Sequence, residues 1–290
     1  MSTSLISGNL HRLTDAQKAA LLVLLGDDDL GVYQTVRAKI IDQGQMVVEW
    51  LRPHLLHNDP VIRSRVREIV RHFERHAADN RFLGFCLSHG EDFDVEKGCW
   101  LLAQTQYPDI NIEAYQALLD SWAGELLERI DFGAEPQRIL LEINQHVFTT
   151  LGFAGNEQNY YDPRNSYLNC VVDRRLGNPI SLCLIYLALA RRLKLPVAGI
   201  GMPGHFICRF QSATDEIFID AFHKGKLLTK ADCIKYLQHT GQDFNDRSLS
   251  PISPRRILQR VCSNLYHIYE NLRQEEDTAR FQRYIVALSK

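Results

Sequence analysis

The amino-acid sequence predicts an α+β protein: a helical N-terminal region, a central helix packed on a small antiparallel sheet, and a helical C-terminal tail. Two observations carry this. Apolar residues recur at helical spacing through the first 130 residues and again after Pro254. Between them, the β-branched and aromatic runs at 197–202, 205–210 and 216–222 follow one another with no helix intervening. Helices and strands segregated in this way give an α+β arrangement rather than a doubly wound sheet. By pattern the 290 residues divide into a helical region over 1–130, a core over 131–250 and a C-terminal helical segment over 251–290.

Within the helical region a weak repeat recurs at an offset of 30. Asp29-Leu30-Gly31-Val32, followed by Val36-Arg37 and Ile40, matches Asp59-Pro60-Val61-Ile62, followed by Val66-Arg67 and Val70. In each copy an acidic residue precedes an apolar stripe, where its side chain can accept the free N–H groups of a first helical turn. The pair resembles a HEAT-type unit of short period, and two copies need further helices to cover them. Two amphipathic helices with like caps would give the same pattern. Three more stripes follow: Val95, Cys99 and Leu102, ended by Tyr107-Pro108; Tyr115, Leu118, Trp122 and Leu126; and Ile139, Ile143 and Val147, ended by Gly152.

After Phe153 the texture changes. Gly155-Asn156 and residues 160–165 form loops, and Asn165 or Ser166 is placed to cap a short helix through Arg174. Asn178-Pro179 opens a stronger helix running to Arg191-Arg192, because Asn caps well and proline suits the first helical position. A short strand at 226–228 follows Gly225, Thr229 caps another helix, and Pro251-Ile252-Ser253-Pro254 is a linker. Ile257, Val261, Leu265 and Ile268 stripe the helix beyond it.

Composition excludes several function classes. The 33 basic and 35 acidic residues leave a formal charge of -2, which argues against nucleic acid as a partner. Arg63, Arg65, Arg67, Arg71 and Arg75 make one helix locally basic, balanced there by Glu68 and Glu74. No apolar run is long enough to span a bilayer, and Met1-Ser2-Thr3-Ser4-Leu5 does not open a secretory leader, so no membrane association is expected. Seven cysteines, an odd number in a chain of this size, read as reduced thiols of a cytoplasmic protein. No cofactor and no metal are expected. A phosphate-binding glycine loop is missing, and His205, Cys208, His223 and Cys233 lack metal-ligand spacing.

Chemistry concentrates in one hairpin. With Ser212-Ala213 at its tip, paired residues have numbers summing to 425, so that His205 faces Asp220, Ile207 faces Phe218 and Arg209 faces Glu216. The other face, with Phe206, Cys208, Ile217 and Ile219, is wholly apolar. A carboxylate beside an imidazole fixes its tautomer, as the third member of a nucleophile–His–Asp triad does, and a purely structural pair would look the same. Cys208 points away from His205, so Cys183 on the preceding helix is the candidate nucleophile. With Pro179 first in that helix, Cys183 falls at its fifth position, beyond the turn where free N–H groups favour a thiolate.

Several motifs in order resemble one family. Tyr160-Tyr161-Asp162-Pro163, Asn165-Ser166-Tyr167-Leu168-Asn169 and Asp173-Arg174-Arg175 lead into Gly177-Asn178-Pro179-Ile180-Ser181-Leu182. Pro203-Gly204-His205-Phe206 and Ile219-Asp220-Ala221-Phe222 follow. Together they resemble the SirB-type transglutaminase-like proteins over roughly residues 90–285. The resemblance implies a transglutaminase-core, papain-like domain with a helical N-terminal region, cytoplasmic and mostly bacterial. In eukaryotes the same domain is attached to F-box proteins, where it looks like a protein-interaction module. Active transglutaminase-core enzymes place a Cys at the start of the central helix, a His on the next strand and an Asp on the strand after. His205 and Asp220 match the second and third, and counting back from Leu195-Pro196 puts the thiol position near Pro179. The resemblance thus places Asn178, Pro179, Gly204 and Tyr160 around a cleft. Two functions stay open: a catalytically degenerate adaptor with a protein partner, and a Cys-His-Asp hydrolase or transamidase using Cys183, His205 and Asp220.

Overall fold

A computed structural model describes residues 13–88, 90–241 and 248–289; the first five residues, read above for a leader, lie outside them. Two compact units form, one reaching Ala78 and the other beginning at Asp79. In the first, α1 (Asp15–Leu25), α2 (Leu30–Ile41), α3 (Val47–Leu51) and the start of α4 (Pro60–Ser88) share one core. Both acidic caps of the repeat meet the expected N–H groups. Asp29 Oδ1 accepts from Gly31 at 2.7 Å and Val32 at 3.4 Å, and Asp59 Oδ1 from Val61 at 2.7 Å and Ile62 at 3.4 Å. Val36, Ile40, Val66 and Val70 are buried, as the stripes require. Two arginines of the basic helix are engaged within this unit. Arg63 donates to the His57 carbonyl and Arg65 to those of Leu25 and Asp27, and Arg65 also lies over the Tyr33 ring.

The second compact unit includes α5 (Val95–Gln106) and α6 (Ile112–Arg129) as well as the sheet. These two helices bury Trp100, Leu119 and Trp122 in its core. α11 (Pro254–Asn271) and α12 (Glu275–Leu288) enter the same core through Leu258, Leu265 and Tyr284, so the C-terminal segment is part of that unit rather than an appendage. Hydrophobic periodicity locates helices but does not say which core each one faces.

At the centre lies α9 (Pro179–Arg192), capped as expected. Asn178 accepts from Ser181 N at 2.9 Å, Ser181 Oγ receives Asn178 N at 3.0 Å, and Pro179 occupies the first helical position. Before it, α7 (Pro136–Asn144) runs into one looser turn over Gln145–Thr150, marked by an i→i+5 bond from Leu151 N to the His146 carbonyl. β1 (Ala154–Gly155) pairs in parallel with β2 (Leu176–Gly177). The short helix α8 (Leu168–Arg174) starts one or two positions later than expected, with Tyr167 rather than Ser166 or Asn165 at its cap. Those two polar side chains are drawn elsewhere: Asn165 bonds Asn156 and two loop carbonyls, and Ser166 accepts from Asn178.

The sheet is an antiparallel meander of β3 (Val197–Met202), β4 (His205–Gln211), β5 (Glu216–Asp220) and β6 (Lys226–Leu228) in that order. Phe206, Cys208 and Phe210 face the main core, while Ile200, Ile207 and Phe218 pack with Cys233 and Leu237 of α10 (Lys230–His239). The β4–β5 register differs from the expected one. Cys208 pairs with Ile219 and Gln211 with Glu216, so paired numbers sum to 427. Side chains at the tip explain the shift. Ser212 Oγ accepts from Thr214 N and Asp215 N, folding a four-residue loop where two residues were expected. A slip of two leaves every side chain on its predicted face.

Candidate functional site

The site begins at a two-residue turn. Met202 pairs with His205, leaving Pro203-Gly204 between β3 and β4, with Gly204 at φ +66 as a turn closed by Pro-Gly requires. Tyr236 of α10 donates its hydroxyl to the Pro203 carbonyl at 3.1 Å. Arg260 of α11 donates to the carbonyls of Met202 and His205, the latter at 2.6 Å. Both ends of the turn are thus held by side chains from other elements.

His205 Nε2 lies 2.9 Å from Asp220 Oδ2, the contact that the hairpin predicted. It is reached diagonally, since the shifted register sets Asp220 two residues nearer the tip of the facing strand. Arg209 and Glu216, expected as the second opposite-charge pair, also meet diagonally at 3.3 Å. Asp220 is buried and has further partners. Its Oδ1 accepts from Phe222 N at 3.1 Å and His223 N at 3.2 Å, and its Oδ2 also meets His223 Nδ1 at 2.8 Å. Burial alone would push this carboxyl up, but the hydrogen bonds from His205 and His223 prevail and hold it below 3.8. His223 was set aside on chain spacing, and spacing is uninformative here. The turn after β5 doubles back so that residues 220 and 223 share an atom of contact, while His205 arrives from the neighbouring strand.

That turn is built tightly. Gly225 N donates to the Asp220 carbonyl at 2.9 Å, and Lys224 and Gly225 both take positive φ. Asn144 Nδ2 donates to the Gly225 carbonyl at 2.6 Å, and a Cβ on Gly225 would sit 2.4 Å from Asn144. Aromatic rings line the approach. His205 lies 5.8 Å from Tyr236 and 6.3 Å from Phe222, and Tyr160 packs edge-on against Phe222 at 5.9 Å. Tyr161, next to it, is 70% exposed. Tyr236 and Arg260 were not singled out in the sequence; their only signal was membership of helices that the fold brings to the turn.

Cys183 is fully buried on α9. Its sulfur donates to the Phe206 carbonyl at 3.5 Å, and Cys208 Sγ lies 3.8 Å from the Cys183 carbonyl. Burial first, then the neighbouring Cys208 and Asp220, pushes the thiol well above its ordinary range. Of the expected cleft residues, Gly204 and Tyr160 stand beside the dyad through Tyr236 and Phe222, whereas Asn178 and Pro179 are buried in the cap of α9.

The family model described as the transglutaminase-like superfamily matches residues 113–263 of this chain. A UPF0162 protein of Xylella fastidiosa (strain 9a5c) is 35% identical over 194 residues, which cover 65% of this chain and 69% of the relative. The UPF0162 protein PA3419 of Pseudomonas aeruginosa is 28% identical over 190 residues, 63% of this chain and 67% of the relative. F-box only protein 21 of Mus musculus is 38% identical over 136 residues, 44% of this chain and 21% of that protein. No solved structure matches the chain.

Proposed function

Because the chain belongs to the transglutaminase-like superfamily and, within it, to the UPF0162 family, we propose that it is a cytoplasmic protein-binding adaptor built on a catalytically degenerate core. One observation carries this reading. At the first position of α9, near which the family resemblance puts the attacking sulfur, stands the ring of Pro179. The sulfur of Cys183, one turn further in, is buried and donates to a main-chain carbonyl. A nucleophile needs both access and a base within about 3 Å. The F-box name of the mouse relative supports an adaptor setting for such a domain. Exposed Tyr161 beside Tyr160 offers aromatic area of the kind that anchors protein contacts. Among the described residues no helix is long and apolar enough to cross a membrane, in keeping with a partner in the aqueous phase.

The runner-up is a cysteine-dependent amide hydrolase or transamidase, supported by the intact His205–Asp220 pair. A photo-crosslinker at position 161, compared in cells with one at exposed position 141, separates the two. The adaptor reading expects one discrete protein adduct at 161, absent at 141, with His205→Ala leaving it in place. It is overturned if position 161 gives no adduct while Cys183 alkylates rapidly at pH 6 in a His205-dependent manner.

A further inference from the structure

Two imidazoles converge on one oxygen of a single carboxylate: His205 Nε2 at 2.9 Å and His223 Nδ1 at 2.8 Å from Asp220 Oδ2. The three atoms all lie within 4.8 Å of one another. Around an ion of zinc size, ligand atoms at about 2.1 Å stand about 3.0–3.4 Å from their neighbours. The observed separations of 2.9 and 2.8 Å fall just short of that range, so the donors need part only slightly to take an ion between them. Two imidazoles and a carboxylate are borderline-hard donors that suit zinc-type divalent ions rather than magnesium or calcium.

We propose that His205, Asp220 and His223 bind one divalent transition-metal ion of zinc type, with at least one coordination position open to solvent. The proposal stands apart from the adaptor reading and needs no thiol. Each neutral imidazole turns a lone pair to the ion by carrying its proton on the outer nitrogen, Nδ1 of His205 and Nε2 of His223. The carboxylate supplies one negative charge against two positive ones. Supporting contacts are already in place. Asp220 Oδ1 is fixed by two main-chain N–H groups, and the turn carrying His223 is pinned through Gly225 by Asn144. His205 and Asp220 are about nine-tenths buried, while the His223 side chain is 56% exposed, so the open side faces solvent next to the Tyr236 and Phe222 rings.

Zinc chloride added to the full chain, followed by desalting and elemental analysis, tests this. About one zinc per chain should be retained and the melting temperature should rise. His223→Ala removes a half-exposed side chain and leaves the His205–Asp220 contact. It should bind zinc at least about tenfold more weakly, the lower limit for losing even a supporting partner, while the metal-free protein still unfolds cooperatively with at most a small fall in melting temperature. His267→Ala, at an exposed histidine elsewhere in the unit, should bind like the wild type. Failure of the wild type to retain zinc overturns the proposal, as does equal retention by His223→Ala.

Discussion

Cys183 gives its thiol hydrogen to the main-chain oxygen of Phe206, the residue next to His205 on β4, at 3.5 Å. Sulfur and imidazole are thus neighbours in space but not partners, because side chains on adjacent residues of a strand leave by opposite faces. Phe206 belongs to the face packed on α9 and His205 to the face shared with Ile207.

Alkylation of the native protein at pH 6 should accordingly leave Cys183 unmodified until the chain is unfolded. All seven cysteines are buried, so slow labelling throughout is expected, read by mass spectrometry of digests. Rapid His205-dependent labelling of Cys183 alone would contradict the buried, pushed-up thiol described above.

Replacing Asp220 tests the dyad by stability. Asp220→Ala leaves two main-chain N–H groups and His205 without their acceptor and should cost about 1–3 kcal/mol in urea unfolding. Its acid dependence has a definite sign. The folded carboxyl is held below 3.8, so its contribution is fully present above that value and is lost as the pH falls through the lower folded value. The wild type should lose stability more steeply than Asp220→Asn below pH 4.

His146 should produce a second pH effect, at higher pH. Burial pulls its imidazole below 6.5, with Glu125 opposing, and neither ring nitrogen has a hydrogen-bond partner among the described residues. Between the folded value and 6.5 the unfolded chain binds the extra proton, so stability falls as the pH drops through this window. The slope from one group is no steeper than about 1.4 kcal/mol per pH unit. His146→Leu should flatten it, and an unchanged profile in that variant would remove His146 as its source.

Two glycines with almost the same φ should respond differently to alanine. Gly204 at φ +66 has open space, with Tyr236 Oη 3.8 Å from a built Cβ, so Gly204→Ala should cost about 1–2 kcal/mol of left-handed strain alone. Gly225 at φ +73 adds overlap with Asn144 and Phe148, and overpacking contributes a further ~1–3 kcal/mol. Equal melting temperatures for the two variants would refute this reading of the turn.

Local signals in the sequence located the elements well. Asp29, Asp59, Asn178 and Thr229 cap the helices they were expected to cap; three strands of the meander were legible from β-branched and aromatic runs and the fourth from its place after Gly225. Long-range features were less so. Hairpin register depended on Ser212 hydroxyl bonds that alternation cannot register, yet the error was an even number of residues and the His205–Asp220 contact survived it. Spacing argues against His223 because its contact with Asp220 depends on a backbone reversal stabilised by Asn144, some eighty positions earlier. Which core a helix joins is likewise a long-range matter: α5 and α6 have ordinary amphipathic stripes, and only the packed core reveals that they face α9.

Arg260 has a consequence for how the protein is made. The guanidinium that steadies the Pro203-Gly204 corner comes from a helix emerging more than fifty residues after it. On the ribosome, the sheet and both histidines therefore leave the exit tunnel before the group that braces them. Nascent chains stalled short of α11 would carry every proposed ligand but a corner held by Tyr236 alone, so any early client or ion would meet a half-finished surface.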